Sequence, residues 1–542
     1  MRWLLLAVGL AALLLVAEGT ARALFDVPPY MLGSVYDPDL GYRQPPRDEF
    51  IEFQDPGGAF TFRTNTEGFR GPELPDAEET PPLDTARLLF LGDSFLVGWG
   101  VPAEALIPFS CEAELRARGH AVQAFNVSYS AIGTAQELIL FRQNVARIQP
   151  SVVVLVVYPC NDVIDNTPEL VGHTTISQGA YIRPFLVSDG QGGLETQWLN
   201  PLRSALRRHS RLYQNIEVRL LSAGLIQDPA SGDLVPSQED CIAAGRLPRT
   251  FLELYLPPEP GGPWAAGWKR TEDLLRAFQR EVDAVGARFV VTSIPLLLQV
   301  EIGAQSLTMD AALRAAHQPL LGERVDWNLP EERLTAFTQA EGIAYVPLLD
   351  ALREETRETR RTSYLDNWHL SARGHRRAGR VVAEALEHVL GGDPLPTSAP
   401  RSTAPVDVLE AAFLPAGRLD FAEDLHAEVL LGGWRTWMPA GKSGAGGWEM
   451  MGKQGSLGVP ARSGTIVVEG WAPKPGLSVS LNVQFRHAIG PVTLEREGPF
   501  ELKAPIPSDV FVEGSCIRVD LVLAGEDPAP RHGIVVTGLR FE

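Results

Sequence analysis

The chain has 542 residues, 45% hydrophobic and 21% charged, with 67 acidic against 48 basic side chains and a formal charge of -19 at pH 7. That length calls for two or three domains of ordinary globular composition. The acidic balance and the shortness of the basic runs leave no phosphate-tracking surface; "RSALRRHSRLY" (203–213) reads as the solvated face of a helix. Nucleic acid is therefore not expected as a partner, and a neutral or cationic one is.

The chain opens with "MRWLLLAVGLAALLLVAEGTARALF". One Arg precedes an apolar run that stops at Glu18, short of the ~20 residues of a spanning helix. Two readings fit. One is a signal peptide with Ala21-Arg22-Ala23 as the cleavage site. The other is a signal anchor over residues 3–25, with Glu18 and Arg22 at the membrane interface. Both imply export, to the periplasm or the cell surface. Any membrane contact is expected only through this segment, if it is uncleaved.

Residues 26–86 are rich in Pro, Gly, Asp and Glu and form an N-terminal extension. The period then changes. "RLLFLGDS" (87–94), "AVQAFNVS" (121–128), "SVVVLVVYP" (151–159), "RFVVTSIP" (288–295) and "IAYVPL" (343–348) are short continuous apolar runs. Such runs mark strands buried on both faces. Helical patterns at 103–118, 135–148 and 371–390 alternate with them. An α/β domain with a parallel sheet follows for residues 87–390. About residues 164–286 lie between the third and fourth strands, too long for a plain crossover. They read as an insertion with helices at 202–224 and 267–286, placed to cover a site.

"GGDPLPTSAPRSTAPVD" (391–407) is a linker by composition. Beyond it the period is two, as in "SGTIVVEGWA", "LSVSLNVQFRH", "CIRVDLVLAG" and "HGIVVTGLRFE". Residues 408–542 are thus expected to form an all-β sandwich or jelly roll. Its Trp434, Trp437, Trp448 and Trp471 fit either sugar stacking or core anchoring.

Four cysteines, Cys111, Cys160, Cys241 and Cys516, are too few and scattered for a disulfide framework, and no CxxC offers a zinc site. No metal or cofactor is expected. Cys160, at a strand edge, and Cys241, in the insertion, could bond in an oxidising compartment. The competing reading leaves both free, with Cys160 packed as a small hydrophobe.

The chemistry gathers at strand ends. Gly92-Asp93-Ser94 ends the first strand, "NVSYSAIGT" with Gly133 follows the second, and "YPCNDV" with Asn161 follows the third. "DNWHLSARGH" follows the last strand and sets Asp366 three residues before His369. A serine hydroxyl needs a base, and His369 can take the Ser94 proton. Asp366 can hold that imidazole in one tautomer. The backbone N–H groups of Ser94 and Gly133, with the Asn161 amide, can hold a tetrahedral oxyanion. In a parallel sheet these residues share the carboxyl edge. Asp93 reads as a brace for the turn, Asp162 as a loop-stabilising partner and His375 as a helix-face residue. Trp368 fits either stacking on a substrate ring or packing over His369.

These four segments resemble, in order and spacing, the four blocks of the SGNH (GDSL) hydrolases over residues 87 to 390. The resemblance implies a flavodoxin-like three-layer α/β/α fold and Ser-His-Asp chemistry on acyl esters. It implies Ser94 as nucleophile, His369 as base, Asp366 as its orienter, and Ser94, Gly133 and Asn161 as the oxyanion hole. Pro159 stands where that family usually has Gly, and Phe95 where it has Leu. Gly68-Phe69-Arg70-Gly71 resembles membrane-anchored bacterial members of the group. The function expected is an exported serine esterase or O-acyltransferase acting on acyl, above all acetyl, esters of a cell-envelope or secreted polysaccharide. A lipid or thioester hydrolase, and a non-catalytic polysaccharide-binding protein, are the alternatives. The sequence leaves the oligomeric state open.

Overall fold

The protein was analysed as a computed structural model. It describes residues 2–28, 34–46, 52–55, 58–76, 84–98, 100–170, 183–223, 225, 251–302, 326–365, 369–393, 395, 405–408, 418–420, 430–432, 434–438, 447–450, 454–460, 464–483, 487–506, 516–524 and 534–542.

Five parallel strands make the central sheet: β1 (Ala86–Gly92), β2 (Val122–Ser128), β3 (Val152–Val157), β4 (Arg288–Ser293) and β5 (Ala344–Pro347). Their order is β5-β4-β3-β1-β2. That is the doubly wound 2-1-3-4-5 order of flavodoxin-like folds, with a switch point between β1 and β3. Leu88 to Leu91 lie in register against Val152 to Leu155, and all eight are fully buried. Burial on both faces is why these strands read as unbroken apolar runs.

The helices, in chain order, are α1 (Arg2–Leu24), α2 (Ser94–Val97), α3 (Ile107–Ala117), α4 (Thr134–Ile148), α5 (Pro159–Asp165), α6 (Pro201–His209), α7 (Arg211–Ser222), α8 (Pro263–Ala284), α9 (Leu329–Glu341), α10 (Leu349–Thr359) and α11 (Ala372–Gly391). α3 packs along α11, while α4 and α5 pack against α8. Right-handed crossovers to either side of the switch point put these two groups on opposite faces of the sheet. The sequence foresaw one helix over 202–224. Two form, because the Ser210 side chain accepts from the Tyr213 N–H at 3.0 Å and caps a new start. The proposed insertion is described only at 183–223, 225 and from 251 on, and Cys241 lies outside the described residues.

The N-terminal extension is not a separate layer. Leu40, Tyr42, Phe69 and Leu74 belong to the same hydrophobic core as β1–β5. α1 leaves much of its apolar surface exposed, Trp3 at 85% and Leu15 at 73%. Its carboxyl end is fixed differently from the expectation. Glu18, which the anchor reading alone set at a membrane interface, accepts from Ser210 Oγ (2.7 Å) and from the N–H groups of Arg211 (2.8 Å) and Leu212 (3.1 Å). It thereby caps α7, and Arg22 donates to the His209 carbonyl at 2.6 Å. Burial pushes the Glu18 carboxyl up, but these donors outweigh it and hold the group at about 2. Among the described residues no helix is long and apolar enough to cross a membrane, so the expected anchor over residues 3–25 finds no support.

The C-terminal strands form two antiparallel sheets. One runs Trp434–Met438, Gly447–Met450, Val535–Phe541, Gly464–Ala472, Gly498–Ile506; the other runs Leu430–Gly432, Gln454–Pro460, Cys516–Ala524, Leu477–Val483, His487–Leu494. Alternate residues such as Val479, Leu481 and Val483 face a shared core with Ile466, Val468, Val519 and Leu521. That core is distinct from the one around β1–β5. Two-residue alternation at 477–483 is the sequence mark of this half-buried geometry. The side chains of Trp434, Trp437 and Trp448 lie outside the described residues, and Trp471 is half-buried.

Candidate active site

β1 ends at Gly92 and the chain turns at once into α2, with Ser94 its first residue. A Cβ on Gly92 would lie 3.0 Å from Leu96 Cδ1, so the turn is too tight for a side chain that cannot yield. Asp93 caps α2: its Oδ1 accepts from the Phe95 N–H at 3.0 Å, and its Oδ2 accepts from Asn161 Nδ2 at 2.6 Å. The Asp93 side chain is thus a brace, and it also aims the Asn161 amide. Burial drives the Asp93 carboxyl up to about 6, against the lowering effect of these hydrogen bonds and of nearby His369.

His369 arrives from the far end of the domain. The Leu365 N–H donates to the His369 carbonyl at 2.8 Å, and Tyr364 bridges Leu370, which closes the loop. Tyr364 Oη ties that loop to the Pro295 carbonyl at 2.6 Å. Ser371 then caps α11 through Gly374 N–H. The result is His369 Nε2 at 3.0 Å from Ser94 Oγ, with 275 residues between them in sequence. This is hydrogen-bond reach for a nucleophile and its general base. Asp366 and Trp368 lie outside the described residues. Phe95, noted in the sequence only as a departure in packing, sits between two rings: its centroid is 4.7 Å from that of Tyr158 and 5.4 Å from that of His369.

Asn161 is carried by α5. Pro159 is the first residue of that helix, where a fixed φ and a missing N–H cost nothing. The Pro that replaces Gly therefore starts a helix, and the sequence had read only a loop here. One Asn161 amide hydrogen goes to Asp93, leaving the other for a ligand. Asp162 binds three donors: Thr134 N–H (2.8 Å), Thr134 Oγ1 (2.7 Å) and Tyr158 N–H (2.7 Å). It fastens the start of α4 to the end of β3, so it is a scaffold residue. Burial and the nearby Asp93 raise it to about 8.

Gly133 is placed differently from the expected oxyanion donor. Its N–H donates to Gln136 Oε1 at 3.1 Å, inside the capping of α4. A Cβ there would fall 2.9 Å from Asp165 Cβ, so the glycine serves the approach of α4 to α5. In the same loop it is Ala131 that takes the left-handed conformation, φ 59°, with its carbonyl accepting from Tyr42 Oη. His375 lies on a helix face, as the sequence reading had it, and that face is the buried one. It is 1% exposed on the inner face of α11, and burial, with the charge of His369 next, depresses it to about 3. Cys160 is a free buried thiol with Sγ 3.1 Å from Tyr255 Oη, raised to about 12 by burial. That favours the reading in which it packs as a hydrophobe.

Sequence reasoning missed Arg183, whose buried guanidinium pairs with Asp165 at 3.0 Å under the loop that follows β2. It also gave Arg70 no role, although Arg70 is 1% exposed and touches the turn after Ser94. No cluster of His, Cys, Asp and Glu among the described residues could hold a metal ion.

No family profile and no curated relative matches the chain. Solved structures similar to it include a two-domain esterase active on acetylated mannans, at 10% identity over 84% of this chain and 90% of that one, TM-score 0.28. An acetyl xylan esterase, AlAXEase, matches at 10% identity over 55% and 99%, TM-score 0.29. A lipase/acylhydrolase from Enterococcus faecalis matches at 10% identity over 58% and 100%, TM-score 0.27. Likeness this distant decides nothing by itself. A 2-1-3-4-5 parallel sheet, with Gly92-Asp93-Ser94 and Asn161-Asp162 at its carboxyl edge and His369 within reach of Ser94, is the arrangement that the resemblance to the SGNH (GDSL) hydrolases implied.

Proposed function

We propose that the protein is an exported serine esterase or O-acyltransferase that acts on acetyl esters of a cell-envelope or secreted polysaccharide. The observation that carries this is the 3.0 Å contact between Ser94 Oγ and His369 Nε2 at the carboxyl edge of the sheet. Ser94 Oγ attacks the ester carbonyl while His369 Nε2 takes its proton. The Ser94 N–H and the second Asn161 amide hydrogen stabilise the oxyanion. Collapse breaks the C–O bond, and the leaving alkoxide takes the proton back from His369. The acyl-enzyme is then attacked by water, giving acetate, or by a sugar hydroxyl, giving a transferred ester. Asp366 is proposed, on its spacing from His369, to orient the imidazole. The Gly133 N–H is already donated to Gln136 and is left out of this set.

The polysaccharide substrate is favoured by the two-domain layout, an acyl hydrolase joined to a β sandwich, and by esterases of acetylated mannan and xylan among the similar structures. The apolar start of the chain favours export. The test is hydrolysis of p-nitrophenyl acetate and acetate release from acetylated mannan or xylan, with Ser94→Ala as control. Loss of both activities in the variant supports the reading. Undiminished turnover in Ser94→Ala, or no acetate release by the wild type from any acylated substrate, overturns it.

A further inference from the structure

We propose that Arg70, with Phe69 beside it, is a positioning residue that holds the Ser94 turn from below. The inference rests on Ser94 being the nucleophile. α2 has four residues, too short to be stable by its own ladder. Its amino end is capped by Asp93. Its carboxyl end is met by Arg70, whose Nη1 donates to the carbonyls of Val97 (3.2 Å) and Gly98 (3.2 Å) and whose Nη2 donates to that of Val101 (3.0 Å). Terminal carbonyls lack partners inside a helix and favour a cation, so a buried guanidinium fork satisfies both demands. The Phe62 ring supports the guanidinium from its other side, 4.2 Å from Cζ to the ring centroid.

The segment that carries Arg70 is itself rigid. Asn65 Oδ1 accepts from the N–H groups of Glu67 (3.0 Å) and Phe69 (2.9 Å), and Asn65 Nδ2 donates to the Pro72 carbonyl. Gly68 sits at φ 89°, where a Cβ would meet the Gln44 carbonyl oxygen at 2.3 Å. Phe69 stacks on Tyr129, centroids 4.8 Å apart, and Tyr129 Oη donates to the Glu67 carbonyl at 2.8 Å. Tyr129 directly follows β2. Residues 67–70 thus join the loop after β1, which presents the nucleophile, to the loop after β2. A shift of about 1 Å in a reacting group costs on the order of 10²-fold in rate, which sets the expected effect.

The experiment compares Arg70→Met and Arg70→Lys with wild type in three measurements. These are kcat and KM on p-nitrophenyl acetate, the rate of Ser94 labelling by a fluorophosphonate read by peptide mass spectrometry, and thermal melting. Leu386→Ala, a core truncation on α11, serves as a destabilised control. Expected for Arg70→Met are a fall of about 10²-fold in kcat with KM within about twofold, and an equal fall in labelling rate. Arg70→Lys, which cannot reach three carbonyls at once, falls between, and Leu386→Ala keeps wild-type kcat. Wild-type kcat and labelling in either folded Arg70 variant overturns the proposal. So does an equal kcat loss in Leu386→Ala. If Arg70→Met does not fold, the labelling rate of Arg70→Lys decides. Wild-type protein that labels at Ser94 yet cleaves no ester refutes the proposed function, and the positioning role is still decided by labelling. Wild-type protein that does not label at Ser94 refutes both.

Discussion

Asp162 offers the sharpest separation between scaffold and catalyst. Replacing it by Ala strips the acceptor from the Thr134 N–H, the Thr134 hydroxyl and the Tyr158 N–H, all of them on residues at most 5% exposed. Each buried donor left unpaired costs about 1–3 kcal/mol. The hydroxyl can turn elsewhere and the two amides cannot, so the loss should be about 2–6 kcal/mol, a large part of a typical 5–15 kcal/mol. Asp162→Asn keeps an accepting oxygen for the Thr134 donors but turns an NH2 to the Tyr158 N–H, so it loses one contact where Ala loses all three. The two also differ in pH dependence. Burial and the nearby Asp93 hold Asp162 at about 8, above the ordinary 3.8. The folded state therefore keeps a proton that the unfolded chain releases between 3.8 and about 8, and this contribution to stability falls as pH rises through that window. Urea unfolding at pH 5 and pH 8 reads both effects: wild type should weaken more toward pH 8 than Asp162→Asn. If Asp162→Ala lies within about 1 kcal/mol of wild type at both pH values, the scaffold role is wrong.

Three further outcomes follow from the same contacts. His369→Ala should lower kcat by about 10⁴-fold, as Ser94→Ala should, with melting unchanged within a few degrees; near wild-type turnover would remove His369 as the base. If His369 is the base, kcat/KM should rise with pH as the imidazole loses its proton, and a flat profile from about pH 5 to 9 would speak against it. Cys160, buried and raised to about 12, should resist iodoacetamide in the native protein and react once urea unfolds it, read by intact mass; fast native labelling would contradict its burial.

The sheet was legible because parallel strands must be apolar throughout, and β1 to β5 fell within a residue or two of the runs read for them. The meeting of Ser94 and His369 was legible because both lie in compact blocks whose order sets their place at the carboxyl edge. Contacts between blocks were not. Gly133 was expected to lend its amide to an oxyanion, but Gln136, three residues on, claims that amide in a local cap. His375 was read as a helix-face residue with no face assigned; its spacing to Ala378, Gly379 and Val382 puts it on the buried face of α11. The arginines around it point to composition, and burial followed period instead. Pro159 was noted only as standing where the family usually has Gly; at a first position Pro begins a helix. Arg70 carries no local sign of its partners, since it reaches carbonyls 27 to 31 residues away.

The placement of residues 62 to 71 bears on where a working fragment can be cut. A piece starting at Ala86 would carry every block by which the family is known, and sequence alone would pass it as complete. It would lack the guanidinium beneath Val97 and Gly98, the ring beside Tyr129, and the Leu40, Tyr42 and Leu74 side chains that close the core on that flank. Such a fragment should express as a hydrolase in outline with a slack nucleophile turn. A minimal catalytic unit should begin before Ser34, so that the paired strands at Val35–Asp37 and Gly41–Arg43 stay whole and Leu40 and Tyr42 travel with the core they join.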